Sequence, residues 1–210
     1  MGLALSAATM ILLVAVPLLF LLTPFWVHFA IDISGGTVPG GAAADAHRIS
    51  DATVRDLLLG GSFAVTASDG SAMYTADEAA HMVDVRIVLS AFLALAVLSA
   101  AVLVMSLRRG QGDASRWSAV ARGAVLLVVV LVVLGVVGAL AFGVAFELFH
   151  QLLFPGGNWA FPADSNLIGL YPYAFWQASA AALGVLAILL AAITWFFARR
   201  RAAALEEAER

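Results

Sequence analysis

The sequence predicts an all-α membrane protein, a single domain spanning residues 1–210 with four transmembrane helices and a small extracytoplasmic cap between the first and second. Three observations predict it. Of the 210 residues, 63% are hydrophobic and only 12% charged, well beyond the roughly 45–50% apolar content of soluble domains. Four apolar runs, at about residues 3–22, 85–107, 123–146 and 175–197, approach the roughly 20 residues that a bilayer demands. The connection between the first two runs is long, polar and rich in turn signals, with a cap at about residues 31–76.

Composition also excludes. A net charge of −3 without a basic face gives no nucleic-acid partner, and the absence of Cys removes disulfides, thiolate nucleophiles and Cys-ligated metal. No metal site and no cofactor are predicted. All eleven basic residues are Arg.

The first run contains Pro17, which is expected to kink it. It lacks a basic leader and no small-x-small site follows, so it reads as a retained span. In the cap, "ISGGTVPGGAAADAH" reads as irregular. "SDATVRDLLLGG" reads as a helix begun by Ser50 or Asp51 and stopped by Gly60 and Gly61. "SFAVTASDGSAMYT" has hairpin character, with Asp69-Gly70 as its turn. "TADE" is a capping box on Thr75 and Glu78, opening a helix that runs into the second span. The third run ends in "AFELFHQLLFPGG", stopped by Pro155 and the glycines after it. The tail "ARRRAAALEEAER" continues the fourth helix.

Arg placement orients the chain. Arg108, Arg109, Arg116 and Arg122 lie between the second and third runs, and Arg199, Arg200, Arg201 and Arg210 follow the fourth. The positive-inside rule puts both termini in the cytoplasm and the cap outside. Trp26, Trp159, Tyr173 and Trp176 then fit an outer aromatic belt, Trp117 and Trp195 an inner one.

Two runs place carboxylate and imidazole together at one end. His81 has Glu78 and Asp84 three residues away on either side, and His150 has Glu147 three residues before it; such spacings share a helix face. Both histidines fall at the outer surface, at matched depth. A lone interfacial His is ordinarily a hydrogen-bonded belt residue, and His28 and His47 are read so. The matched pair with nearby carboxylates, expected to orient the rings, is a candidate polar site. Asp84 and Arg86 have the alternative of a simple ion pair. Phe154, Trp159, Phe161, Tyr173 and Trp176 form either an interface belt or the wall of a pocket for a lipid-bearing substrate.

"EAAHMVDVR" with the downstream "FHQLLFPGGNWAFPADSNLIGLYP" resembles the signature of the bacterial lipoprotein intramolecular transacylase family. The matching positions are Glu78, His81, Met82, Asp84 and Val85; Phe149 and His150; Phe154, Trp159 and Phe161; and Leu167, Ile168 and Pro172. The resemblance implies an enzyme of the bacterial cytoplasmic membrane, with its active site at the outer face. Its partners would be diacylglyceryl-modified lipoproteins and membrane lipids. The implied reaction moves the sn-2 acyl chain onto the α-amine of the lipoprotein's N-terminal Cys, giving the lyso-form. His81 and His150 would be catalytic, supported by Glu78, Asp84 and Glu147. Two other classes remain open from the residues: a bis-His haem protein, and a non-catalytic scaffold or transporter subunit.

Overall fold

A computed structural model describes residues 2–110 and 112–209; Gln111, in the Arg-rich connection, and Arg210, in the basic tail, lie outside the described residues. Seven helices form among the described residues: α1 Gly2–Leu21, α2 Pro24–Ser34, α3 Ala43–Leu59, α4 Ala76–Arg109, α5 Ala114–Leu153, α6 Asn166–Leu170 and α7 Tyr173–Ala208. Four of them, α1, α4, α5 and α7, are long and apolar enough to cross a membrane. In hydrocarbon a helix satisfies every backbone group internally, which is why apolar runs of this length adopt that form. α1 runs through Pro17 to Leu21 without the chain leaving the helix. Among the described residues, α5 departs from helical geometry in its interior at Ala141 (φ −151°, ψ 52°).

The chain divides into two compact units. The first holds α1 as far as Leu19, Phe92–Ala139 and the chain from Ala182 onward. Small residues let its helices approach closely: Ala8, Ala119, Ala121 and Ala198 are buried beside Leu5 and Leu103, and Ala124, Ala187 and Ala191 beside Leu13 and Leu127. Backbones meet closely at Gly123, where a Cβ would stand 2.5 Å from the Ser6 carbonyl oxygen. The Ser6 hydroxyl donates to the Ala119 carbonyl at 2.8 Å.

The second unit, Phe20–Ala91 with Leu140–Ala181, carries the cap. Thr23 caps α2, its side chain accepting from the Trp26 amide, and Pro24 supplies the first helical residue. α2 packs on α3. Two histidine–carboxylate hydrogen bonds cross between them, His28 Nε2 to Asp51 at 2.9 Å and His47 Nε2 to Asp32 at 2.8 Å, and the two imidazoles stack at 4.1 Å. The cap core is apolar, with Ile31, Ile49, Phe63, Met73 and Leu170 fully enclosed. Tyr74 is buried there, its hydroxyl 2.7 Å from Thr53 Oγ1, and burial pushes both its phenol and that of Tyr171 upward.

Two boundaries in the cap differ from expectation. α3 begins at Ala43, seven residues before Ser50, because Ala43, Ala44 and Ala46 are strong helix formers and the Asp45 carboxylate accepts from the Ala42 amide at 3.2 Å. Ser50 lies inside the helix, its hydroxyl donating to the His47 carbonyl. The hairpin is minimal: an isolated antiparallel bridge joins Thr66 and Ala72 across the Gly70 turn (φ 86°), and no strand forms among the described residues. Gly60 ends α3 as expected, at φ 83°.

Candidate active site

Every residue of the candidate site belongs to the second unit. α4 starts where its capping box dictates. Thr75 Oγ1 accepts from the Glu78 amide at 3.2 Å, and Glu78 Oε2 accepts from the Thr75 amide at 2.7 Å. The other Glu78 oxygen takes the Leu167 amide at 3.2 Å and the Ser165 hydroxyl, and Ser165 itself caps α6. Glu78 is 2% exposed. One carboxylate thus closes the start of two helices.

This is not the role expected of Glu78 from its spacing to His81. A Glu at the third position of a helix folds back toward the cap, away from a side chain one turn on, and no hydrogen bond joins it to the imidazole. Glu147 departs in the same way: it is exposed and accepts from Gln151 Nε2 at 3.0 Å. Asp84 accepts from Asn158 Nδ2 at 2.6 Å. Arg86 does not pair with Asp84. It donates to the Gly61 carbonyl at 2.5 Å and lies over the Phe63 ring at 5.5 Å.

What holds the imidazoles is aromatic. The His81 and His150 ring centres are 6.1 Å apart. Phe154 packs edge-on to His81 at 4.9 Å and tilted to His150 at 5.7 Å. Phe161 lies 5.6 Å from His81, and Trp159 5.1 Å from His150. Tyr173 and Trp176 pack on Phe146, at 5.1 and 6.3 Å, and Phe146 packs on His150 at 4.2 Å. They therefore form a second layer. Phe149, 5.3 Å from His150, is a position of the family signature that the sequence pattern did not place in the pocket, and Phe146 is a wall that the pattern did not single out. Asn158, which donates to Asp84, was not singled out either.

The two rings differ in their hydrogen bonds. His150 Nδ1 lies 2.7 Å from the Phe146 carbonyl oxygen. A carbonyl only accepts, so Nδ1 carries a proton and, in the neutral ring, Nε2 is the basic nitrogen. His81 is 6% exposed, and its Nδ1 is buried without a partner. Such an atom costs about 1–3 kcal/mol, a cost that a substrate group entering the site would relieve. Phe154, in contact with both rings, stands where the disc of a bis-His haem would have to lie.

Four membrane-length helices and an aromatic-walled histidine pair define a polytopic membrane protein with a secluded polar site. The sequence model of the lipoprotein intramolecular transacylase family, Lit, matches residues 52–176, more than half of the chain, and the chain belongs to that family. It is 30% identical over 129 residues to an uncharacterized protein of Aquifex aeolicus, a match covering 61% of this chain and 57% of that relative's length. The membrane-integral lipoprotein intramolecular transacylase Lit of Bacillus cereus shares its fold, with a TM-score of 0.79 at 17% identity over 98% of this chain and 96% of that one. A histidine-to-arginine variant of the same protein superposes with a TM-score of 0.70 at 18% identity, over 99% and 92% of the two chains.

Proposed function

We propose that the protein is a lipoprotein intramolecular transacylase: it moves the sn-2 acyl chain of a diacylglyceryl-modified lipoprotein to the α-amine of the N-terminal Cys, leaving the lyso-form. The observation that carries this reading is the His81–His150 pair, 6.1 Å apart, walled by Phe154, Phe161 and Trp159. Family membership supports it.

His150, with Nδ1 committed to the Phe146 carbonyl, offers Nε2 as the base that takes a proton from the attacking amine. The amine nitrogen adds to the ester carbonyl. As the tetrahedral intermediate collapses, the bond from carbon to the glyceryl oxygen breaks and the amide bond remains. His81 passes on to the departing oxygen the proton that His150 took from nitrogen, so one proton moves from nitrogen to oxygen and both imidazoles end neutral. No protein nucleophile is needed, since the amine fills that role, and Cys is absent from the chain. The aromatic walls keep water from competing with the amine. Arg placement supports a site at the outer face of the cytoplasmic membrane, where the ester of a lipid-anchored substrate would lie.

The test is expression in a bacterial host lacking the activity, followed by tandem mass spectrometry of a lipoprotein's N-terminal peptide. Intramolecular transfer is an isomerisation, so the intact mass stays constant. The expected result is fragment ions that locate one acyl group on nitrogen, with loss of amine reactivity. A free amine and unchanged fragments, with folded protein in the membrane, would overturn the proposal.

A further inference from the structure

We propose that Asp84 and Asn158 form the subsite that receives the protonated α-amine of the lipid-anchored peptide, an alkylammonium on an apolar stem. The inference rests on the transacylase reading and adds to it the place where the nucleophile docks before it reacts.

A cavity of about 340 Å³ opens between α4 and the loop that follows α5. Ile87, Val88, Leu153 and Phe154 make its apolar walls, and Asp84 and Asn158 its polar end. The volume lies in the range of small-molecule sites, about 300–1,000 Å³. Phe154 is also the ring that packs edge-on to His81 at 4.9 Å. The cavity and the candidate active site therefore share a wall, one ring thick.

Three carboxylates lie within three residues of a site histidine in the sequence, and two of them are engaged elsewhere. Glu78 accepts from Thr75, Ser165 and Leu167 at two helix starts. Glu147 is exposed and bonded by Gln151. Asp84 alone lines the cavity. Among the described residues it has one hydrogen bond, from Asn158 Nδ2 to Oδ2, which fixes the carboxylate. Arg86, the nearest cation along the helix, is turned to the Gly61 carbonyl and the Phe63 ring.

An α-amine has a pKa of about 7.7–8.0 and so arrives largely as an ammonium at neutral pH. It needs an anion at the end of an apolar slot, because its stem is a thioether bearing lipid. One carboxylate and one amide suit that cation. A divalent metal would call for several more oxygen ligands. Held there, the ammonium waits across the Phe154 ring from His81; it leaves one proton with Asp84, which releases it to solvent, and the neutral amine that turns to the ester loses its next proton to His150.

The test uses His150→Ala to arrest turnover, in detergent, with three synthetic probes built on diacylglyceryl-Cys-Ser amide. One has the free amine, one an α-hydroxyl in its place, and one an N-acetyl group. The arrested protein should bind the amine at least about tenfold more tightly than either analogue, as expected for a charge-assisted hydrogen bond. Adding Asp84→Asn should bring the three within about twofold, by weakening the amine and leaving the hydroxyl analogue unchanged. Equal binding of amine and hydroxyl by the arrested protein, which needs no change at Asp84, would overturn the proposal. So would retained preference after Asp84→Asn. Should Asp84→Asn fail to fold, Val88→Trp, which fills the cavity and leaves the carboxylate, must weaken the amine probe. If the wild type shows no acyl transfer yet prefers the amine, the transacylase reading fails and the subsite stands. If transfer proceeds without that preference, the subsite fails alone.

Discussion

The imidazoles of His81 and His150, on α4 and α5, lie 6.1 Å apart between ring centres, and both rest against Phe154. Aromatic packing sets that separation, because neither ring is hydrogen-bonded by a carboxylate. The pair is close enough to act on one acyl centre, each imidazole within hydrogen-bond reach of a different atom of it.

His81→Ala and His150→Ala are each expected to abolish formation of N-acylated lipopeptide, with a loss of about 10²–10⁴ or more per proton transfer removed. Groups that act as one unit are not additive, so the double variant should be little worse than either single. Stability separates catalysis from structure. His81 Nδ1 is buried without a partner, so His81→Leu should hold or raise the thermal midpoint in detergent while erasing activity. Activity surviving in either single variant would remove the catalytic pair.

Phe154 is 6% exposed and touches both rings. Phe154→Ala should cost about 3–5 kcal/mol of stability, the usual range for a buried Phe. Activity at a temperature where the variant is folded should fall about 10²-fold, as expected for a misplacement of roughly 1 Å. Phe154→Leu should recover most of the stability and less of the activity. Thermal unfolding and lipopeptide turnover, measured on one preparation, check both.

Both termini are expected in the cytoplasm and residues 31–76 outside. The motive is the set of Arg108 and Arg109 in the last turn of α4 with Arg116 and Arg122 early in α5, and Arg199, Arg200 and Arg201 late in α7. A phosphatase fused to the C-terminus should be silent and a fluorescent protein there bright. The reverse pattern would invert the topology and move the site to the inner face.

The spans were legible because a bilayer imposes length and apolarity together, and the start of α4 was legible because Thr75 and Glu78 form a reciprocal cap. α2 was not, although Thr23-Pro24 is a helix-start signal: the aromatics that follow, Phe25, Trp26 and Phe29, also suit an interface belt. α6 has five residues, too few for any periodicity. In the site, the histidines could be read as a pair from their places at two helix ends. Their surroundings could not, because contact between Phe154 and both rings depends on how α4 and the loop after α5 meet. Spacing suggested that Glu78 and Glu147 serve the imidazoles, yet each found a nearer partner: a helix cap for Glu78, and Gln151 one turn on for Glu147.

Glu78 provides the sharpest distinction between a residue that shapes the site and one that acts in it. Its carboxylate accepts from the Thr75 and Leu167 amides at 2.7 and 3.2 Å and from the Ser165 hydroxyl. Three donors converge on it, so Glu78→Gln places an amide NH₂ against at least one of them. Hydrogen bonds to a charged acceptor contribute about 1.5–3 kcal/mol each, and the variant should lose at least that much. Amide exchange should quicken at Thr75 and Leu167, the two backbone groups released, and stay unchanged in the Gly123 region of α5. Turnover per folded molecule at low temperature should fall less than in either histidine variant, because His81 keeps its aromatic contacts. If Glu78→Gln instead leaves the thermal midpoint untouched and abolishes turnover, Glu78 acts on the imidazole or the substrate directly, and the clamp is incidental.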